Sequence, residues 1–398
     1  MTGPDSPFAQ EFAAGIQHQM AGRYAEAEAV YLRLLAARPG DPDVLRHLGV
    51  LTFQRGDAPA AETLLRQSLA AAPNDPGAHH NLALILHKEK RDDEALLLLQ
   101  RAVELVPRSD ALWSNLGELL TEMGRTREAV EAFRRAAALN PRNVDAHQQL
   151  GSELLKLGAA REALEHLEIC EALGRMNTTI SAYKAVALNE LGETARAQAL
   201  VDFERLVVRR HIGEAHGAAS LAAFSEGLAR IVANSPTLHH HHTTVNGMDT
   251  EEILDLADPP MAALKRFITG EIEARLANLP EPSHPFARTA PRRWMTKSWG
   301  VKMWRQGHQV THIHHKAWLS GVYYVQLPEV VRTKPDGHEA WIEFGRGPDD
   351  LHAREPDTRL IQPVEGMLIT FPSYVWHRTI PFESARERIS IAFDVIPA

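Results

Sequence analysis

The chain has 398 residues, of which 44% are hydrophobic and 24% are charged, and its formal net charge at pH 7 is −8. This length exceeds one ordinary domain, and the negative charge argues against nonspecific binding to nucleic acid or to an anionic membrane. Cys170 is the only cysteine, which excludes an intrachain disulfide and a thiolate-rich metal site.

The first residues, MTGPDSPFAQEF, contain neither the basic nor the apolar segment of a secretory signal. The sequence also has no run of about 18 apolar residues that could cross a bilayer. We therefore expect a soluble, cytoplasmic protein with no membrane partner and no nucleic-acid partner.

The first half of the chain repeats with a period of 34 residues in four registers. The first register consists of Pro39, Pro73, Pro107 and Pro141. The others are Gly15, Gly49, Ala83, Gly117, Gly151 and Ala185; Gly22, Gly56, Lys90, Gly124, Gly158 and Gly192; and Ala27, Ala61, Ala95, Ala129, Ala163 and Ala197. The period and the small residues resemble the tetratricopeptide repeat, a helix–turn–helix unit.

In such a unit the small residues let helices A and B approach, the later glycine ends helix A, and the proline ends helix B. We expect about six units over residues 8–205, forming an all-α solenoid with a concave groove lined by the A helices. The following segment, residues 206–248, is predicted to be a helical linker with a histidine-containing loop.

Asn81, Asn115 and Gln149 each lie two residues before the small residue of helix A. A side-chain amide can both donate to and accept from a peptide backbone. The ladder resembles the asparagines of repeat proteins that hold extended peptides, such as the O-linked N-acetylglucosamine transferases, and this resemblance implies a protein or peptide partner in the groove. The alternatives are that these residues only cap helices or face solvent, and that the repeats mediate self-association.

Residues 249–398 are predicted to form a second domain, with helices up to residue 279 and short β-strands from Trp294 onward. The run His239–His242 is interpreted as an exposed loop rather than as a metal tract. The β-rich runs are WMTKSWGVKMW, WLSGVYYVQL, EAWIEFG, GMLITFPSYVWH and RISIAFDVI, and their period of two predicts a sandwich or barrel.

Three histidines occur within the stretch THIHH. In an extended strand His312 and His314 face the same side, whereas His315 points away. Two imidazoles on one face can bind one metal ion, and His377, at the end of a later strand, is the candidate third ligand. Arg388 and Ser390 follow on one face of the last strand.

These residues resemble the Fe(II)/2-oxoglutarate-dependent oxygenases, in particular a little-characterised family that carries HxH and WH motifs and an R-x-S pair. The resemblance covers roughly residues 294–396 and implies a double-stranded β-helix (jelly-roll) with supporting helices. It implies Fe(II) on His312, His314 and His377, with 2-oxoglutarate and O₂ as cosubstrates. Arg388 would bind the 2-oxoglutarate carboxylate, and Ser390 and Tyr324 would donate hydroxyl hydrogen bonds. The activity implied is hydroxylation of a C–H bond, with succinate and CO₂ as co-products.

Position 314 is a histidine where most of that superfamily has aspartate or glutamate. The site is therefore either a three-histidine site or one completed by a carboxylate from elsewhere, with Glu339 and Glu343 as candidates. Two other functions stay open, namely an aspartyl/asparaginyl β-hydroxylase-like enzyme and a repeat scaffold with a degenerate jelly-roll. Trp299, Trp304, Trp318 and Trp376 are candidates for the pocket wall, although aromatic residues at strand spacing are more often core residues.

Overall fold

The computed structural model describes residues 6–214, 218–238, 243–351 and 354–398. The tract His239–His242 lies outside these residues. The chain forms two compact units, residues 1–153 and 154–398. None of the helices in the described ranges is long and apolar enough to span a membrane.

Twelve helices of the described part continue the 34-residue period. They are α1 (Pro7–Met20), α2 (Tyr24–Ala37), α3 (Pro42–Gln54), α4 (Ala58–Ala71), α5 (Pro76–Lys88), α6 (Asp92–Leu105), α7 (Asp110–Glu122), α8 (Thr126–Leu139), α9 (Val144–Lys156), α10 (Ala160–Ala172), α11 (Thr178–Glu190) and α12 (Thr194–Leu200). The B helices α2, α4, α6 and α8 each end just before a periodic proline, as predicted, because proline restricts the residue before it to extended conformations.

Side-chain caps start the A helices two residues after the periodic prolines. Asp41 accepts a hydrogen bond from the backbone of Val44, and Ser109 accepts one from Leu112. A polar side chain at this position satisfies a backbone N–H that has no partner inside the helix. The sequence pattern P-x-[DSN] therefore encodes both the end of one helix and the start of the next.

The small residues of the A helices allow close contact with the B helices. A Cβ atom added to Gly15 would lie 2.7 Å from Cε1 of Tyr31, and one added to Gly117 would lie 2.6 Å from Cε1 of Phe133. Real Cβ atoms do not approach carbon this closely, so the aromatic ring occupies the space that a side chain would need. The predicted role of this register is confirmed at these positions.

The residues that follow the A helices have the left-handed backbone conformation. Their φ angles are 72° at Gly22, 94° at Gly56, 62° at Lys90, 71° at Gly124, 73° at Gly158 and 68° at Gly192. Glycine adopts this conformation without a steric penalty, whereas a residue with a Cβ pays about 1 kcal/mol. Lys90 is thus a strained member of an otherwise relaxed series.

We expect Lys90→Gly to raise the free energy of unfolding by about 1 kcal/mol, because it removes the clash at positive φ. Lys88→Gly, two residues earlier and inside α5, is the matched control, and it should lower stability by up to about 1 kcal/mol. Urea unfolding followed by helical circular dichroism measures both variants. An unchanged or lower midpoint for Lys90→Gly would contradict the strain assigned to this residue.

The described residues of the second unit form ten β-strands in two sheets. The strands are β1 (Val208–His211), β2 (Thr237–Leu238), β3 (Thr244–Thr250), β4 (Trp294–Gln309), β5 (Leu319–Gln326), β6 (Ile342–Phe344), β7 (Arg359–Ile361), β8 (Met367–Pro372), β9 (His377–Thr379) and β10 (Arg388–Pro397). The large sheet has the order β1-β8-β5-β10-β4-β3-β2 and the small sheet has the order β7-β6-β9, all with antiparallel pairing. Two antiparallel sheets in this arrangement agree with the predicted jelly-roll.

Helices cover the outer face of the large sheet. The further helices of the described residues are α13 (Phe203–Leu206), α14 (Ala218–Asn234), α15 (Pro259–Ala277), α16 (Pro285–Arg288) and α17 (Val330–Thr333). Phe224 of α14 packs edge-on against Tyr323 of β5, with ring centroids 6.5 Å apart. Because strand residues alternate, Tyr323 faces the helix while Ser320, Val322 and Tyr324 face the interior of the roll.

Two features of this unit differ from the sequence-based description. Strands β1, β2 and β3 come from the segment 206–248, which was predicted to be a helical linker, and β1 and β3 pair with β8 and β4. The second compact unit begins at residue 154, not near 206. One reason lies in α11, where the Oγ1 of Thr178 donates to the carbonyl of Ala317, 3.0 Å away.

Candidate active site

The three histidines predicted to bind metal are brought together by backbone hydrogen bonds. The N–H of His312 donates to the carbonyl of His377 (3.1 Å), and the N–H of His377 donates back (3.2 Å). The N–H of His314 donates to the carbonyl of Ser373, 3.1 Å away. The HxH motif thus lies in the loop after β4, and these bonds fix that loop against the segment leading into β9.

The imidazole rings of His312, His314 and His377 form one cluster. Each ring offers one nitrogen, and these atoms all lie within 4.8 Å of one another. The Nε2 atoms of His314 and His377 are 3.3 Å apart. Their rings are nearly parallel, with an interplanar angle of 8° and a centroid separation of 5.2 Å.

The opposite nitrogen of each ring has a hydrogen-bond acceptor. The Nδ1 of His312 lies 2.8 Å from the carbonyl of Val310, and that of His377 lies 3.1 Å from the carbonyl of Val375. The Nδ1 of His314 lies 2.9 Å from Oδ2 of Asp394. Since these oxygens can only accept, each Nδ1 carries the proton, and each Nε2 presents a lone pair.

The surroundings favour the neutral form of the His312 and His377 rings. Burial, reinforced by the nearby His314, lowers the pKa of His312 to about 4. Burial also lowers the pKa of His377 well below its usual range, with the other two histidines adding to the effect. Where the Nε2 atoms of His314 and His377 both present lone pairs, they repel each other at 3.3 Å, and a cation bound to both would remove this repulsion.

Asp394 supplies a carboxylate behind the cluster, and sequence reasoning missed it. Its Oδ1 accepts a hydrogen bond from the hydroxyl of Ser320 (2.7 Å), whose oxygen lies 2.8 Å from that of Ser373. The sequence could have indicated Asp394, because side chains alternate along β10 and Asp394 lies on the same face as Arg388 and Ser390. A carboxylate here orients His314 and adds a negative charge one ring away from the lone pairs.

The two glutamates considered as replacement ligands lie elsewhere. The Oε2 of Glu339 accepts from the backbone N–H of Glu383, 2.7 Å away. Glu343 is buried and forms ion pairs with Arg346 and Arg378. In β6, Glu343 faces away from its neighbour Phe344, whose ring lies on the His377 side with centroids 6.1 Å apart. Neither glutamate therefore faces the histidine cluster.

Arg388 is a buried cation without a carboxylate partner. It is 1% exposed, and no acidic side chain of the described ranges forms an ion pair with it. Its Nη1 donates to the hydroxyl of Ser390 (3.2 Å), and its Nε has no hydrogen-bond partner. The guanidinium carbon lies 5.1 Å from the centre of the Tyr324 ring. A buried, incompletely paired guanidinium favours an anionic ligand.

The cation and the histidines line the same cavity. Its wall consists of Trp299, Val301, Gln309, His312, His314, Ser320, Gly321, Val322, Ile342, Phe371, His377, Thr379, Arg388, Ser390 and Ala392. Tyr324 is not part of this wall, but its buried hydroxyl has no hydrogen-bond partner in the described structure. Burial raises the pKa of Tyr324 to about 12, so the hydroxyl keeps its proton at neutral pH.

The four tryptophans considered for the pocket have different surroundings. Trp299 lines the cavity, and its ring stacks near that of His314 with centroids 5.9 Å apart. Trp318 stacks on Phe286 in the core, and the indole N–H of Trp376 points to helix α11. Trp304 is 42% exposed. Only Trp299 of this group shapes the cavity.

The three amides of the predicted groove lie on A helices, with Asn81 on α5, Asn115 on α7 and Gln149 on α9. All three side chains are partly exposed. The Nδ2 of Asn115 lies 2.6 Å from the Nε2 of His80. A peptide that used this amide as a donor would therefore compete with a contact between the A helices of two successive repeat units.

Comparison with known families agrees with the two halves of the chain. Residues 297–394 match the family described as "Putative 2OG-Fe(II) oxygenase". Residues 18–85 and 52–119 match one tetratricopeptide repeat family, and residues 111–143 match another. The chain thus carries tetratricopeptide repeats in its N-terminal part, and residues 297–394 form a domain of that oxygenase family.

Several solved structures resemble part of this chain. "Crystal structure of MamA" is 21% identical over 46% of this chain and 96% of its own, with a TM-score of 0.36. "MamA AMB-1 C2221" is 30% identical over 41% and 96%, with a TM-score of 0.36. The protein titled "Functional Characterization of Pseudomonas Aeruginosa pilF" is 19% identical over 50% and 90%, with a TM-score of 0.45. No curated protein matches this chain.

Replacing Asp394 tests its contribution to the histidine cluster. Asp394→Asn keeps the shape but removes the charge, and we expect the affinity for Fe(II) or Co(II) to fall about 10- to 100-fold. Anaerobic competition against a chromophoric chelator measures this change. Glu339→Gln is the matched control and should keep the wild-type affinity. Equal affinities for both variants would contradict the role of Asp394.

Proposed function

We propose that this protein is an Fe(II)/2-oxoglutarate-dependent dioxygenase that hydroxylates a C–H bond of a protein or peptide recruited by its repeats. The observation that carries the proposal is one cavity that holds both the three converging Nε2 atoms and the unpaired guanidinium of Arg388. The first group is suited to a cation and the second to a carboxylate. A 2-oxo acid held on a metal ion needs both at once.

His312, His314 and His377 would hold Fe(II) through Nε2. The fit rests on the donor set, since imidazole is a good ligand for Fe(II) and all three rings have the tautomer that leaves Nε2 free. Fe(II), when bound, supplies the redox chemistry that couples decarboxylation of 2-oxoglutarate by O₂ to hydroxylation of a C–H bond. The chain itself positions and shields that chemistry.

Asp394 would compensate for the absence of a metal-binding carboxylate at position 314. A neutral triad leaves the charge of a divalent cation uncompensated, whereas the carboxylate hydrogen-bonded to His314 Nδ1 makes that ring a stronger donor. Ser320 holds the other carboxylate oxygen and so keeps Asp394 in place. On this basis we favour the three-histidine arrangement over one completed by a glutamate.

Arg388 would bind the distal carboxylate of 2-oxoglutarate. Its guanidinium is planar and permanently charged, and Ser390 and the Tyr324 ring hold it from two sides. The hydroxyls of Ser390 and Tyr324 are the further donors proposed for this ligand. Trp299 and Phe371 close the cavity with apolar surface, which limits the access of water to the reacting groups.

The repeats would bring the substrate to this site. Tetratricopeptide arrays expose a concave surface, and Asn81, Asn115 and Gln149 stand at equivalent positions on three successive A helices. Their amides can follow the backbone of an extended peptide. This feature favours a protein or peptide substrate over a small molecule.

Anaerobic titration tests the metal and the cosubstrate together. Addition of Fe(II) and 2-oxoglutarate should produce a visible charge-transfer band, and His377→Ala should abolish it by removing one of three ligands. His308→Ala is the control, because its ring is outside the cluster. If the wild type forms neither the band nor succinate, the oxygenase proposal is wrong and a scaffold function is favoured.

Arg388→Ala should weaken 2-oxoglutarate binding about ten- to a hundredfold, the scale of a lost charge-assisted hydrogen bond. Ser390→Ala, which removes only a hydroxyl, should have a smaller effect in the same direction. Arg386→Ala, whose side chain pairs with Glu365 at the surface, is the control. Titration of the charge-transfer band gives the affinities. An unchanged affinity in Arg388→Ala would exclude the proposed anion site.

A further inference from the structure

A second cavity, here called the side cavity, lies in the second unit behind the histidine cluster. It is lined on one side by Val186 and Asn189 of α11, and on the other by Val375 and Trp376. Its lining includes none of the three histidines and not Arg388. The two cavities share a wall, since the carbonyl of Val375 accepts the hydrogen bond from His377 Nδ1.

The side cavity combines an apolar wall with one unsatisfied donor. Most of its lining is alanine, valine, proline and aromatic surface. The Nδ2 of Asn189 is buried there and has no hydrogen-bond partner among the described residues. A buried amide without a partner loses the hydrogen bonds that water would give it. An occupant with an apolar body and a carbonyl oxygen would match both features.

The side cavity adjoins a second space, here called the groove. Gln198, Val201, Phe203 and Asp357 line both spaces. One extended chain could therefore run from the side cavity into the groove.

The groove is acidic. Its lining includes the carboxylates of Asp202, Glu204 and Asp357 and the single guanidinium of Arg359. Arg359 is paired with Glu204, which leaves Asp202 and Asp357 without a cation in the groove lining. A ligand with positive charge would therefore bind this groove more tightly than a neutral one.

We propose that the side cavity and groove bind a peptide segment in which an apolar residue is followed by lysine or arginine. The apolar side chain fills the side cavity, its backbone carbonyl accepts from Asn189 Nδ2, and the basic residues lie along Asp202 and Asp357. This inference rests on the proposed function, because it assigns a docking site to the substrate that the dioxygenase would modify. The docking site is separate from the reacting cavity.

Fluorescence anisotropy of the full-length protein without added iron tests the docking. The probes are fluorescein-labelled Gly/Ser peptides that contain Phe-Lys-Lys, Phe-Glu-Glu or Gly-Lys-Lys. Only Phe-Lys-Lys should bind well, and its affinity should fall as salt rises. Equal binding of all three probes, or of none, would overturn the proposal.

Variants separate the side cavity from the rest of the surface. Asn189→Leu removes the donor at similar size, and Gln198→Trp blocks the junction of the two spaces, so each should weaken Phe-Lys-Lys about tenfold or more. Gln198→Ala, at the same exposed position, leaves the junction open and should weaken binding much less than Gln198→Trp does. Asp357→Asn should weaken binding and reduce its salt dependence, whereas Asp349→Asn, an exposed acid outside the groove, should not.

The charge-transfer band of the same variants distinguishes this proposal from the proposed function. Asn189→Leu and Gln198→Trp should keep the band with Fe(II) and 2-oxoglutarate while losing the peptide. A wild type that binds Phe-Lys-Lys but forms no band would refute the oxygenase and leave the docking site standing. If Gln198→Trp instead abolishes self-association seen by sedimentation, the occupant is a second copy and the peptide proposal is wrong.

Discussion

Two backbone hydrogen bonds between His312 and His377 hold the candidate centre together. They join the loop after β4 to the start of β9, and so place residues far apart in the sequence on one ring-lined surface. In each of these two histidines, the carbonyl two residues earlier accepts the Nδ1 proton and so fixes the tautomer. This carbonyl belongs to Val310 for His312 and to Val375 for His377. Without these two hydrogen bonds, His312 and His314 would face one side of their segment, but His377 would not be next to them. The candidate metal site thus depends on the tertiary fold. The local sequence determines only the orientation of each histidine ring.

Much of the architecture could be predicted because it depends on short-range rules. Helix ends follow from prolines, caps and glycines at a fixed period, and the strands that carry the site alternate strongly. Asp394 was within reach of the same reasoning, since it continues the inward face of β10 beyond Arg388. The strands β1 to β3 could not be predicted in this way. They are short or interrupted by polar residues and glycine, and they become strands by pairing, β1 with β8, β3 with β4 and β2 with β3.

The electrostatic design of the cavity also depends on long-range contacts. The histidines of the loop after β4 and of β9, and the arginine and serine of β10, give no indication in the sequence of which groups will surround them. In the structure, the neutral rings are backed by one carboxylate, and the guanidinium lies between a hydroxyl and an aromatic ring rather than next to an acid. A negative partner for Arg388 would have satisfied the cation and left little reason for a ligand. Its absence among the described residues is therefore as informative as the motif itself.

The hydrogen bonds from α11 to the histidine loop have a consequence for how the two halves of such a protein can be recombined. Thr178 holds the carbonyl of Ala317, and the hydroxyl of Thr179 lies 2.9 Å from Nδ1 of His315, next to His314. Helix α11 of the final repeat therefore supports the loop that carries His312 and His314, and it cannot be exchanged without losing these contacts. A graft of the roll onto another array would need to carry α11 with it. A tilt of α11 would displace His315, the neighbour of His314, through its contact with Thr179.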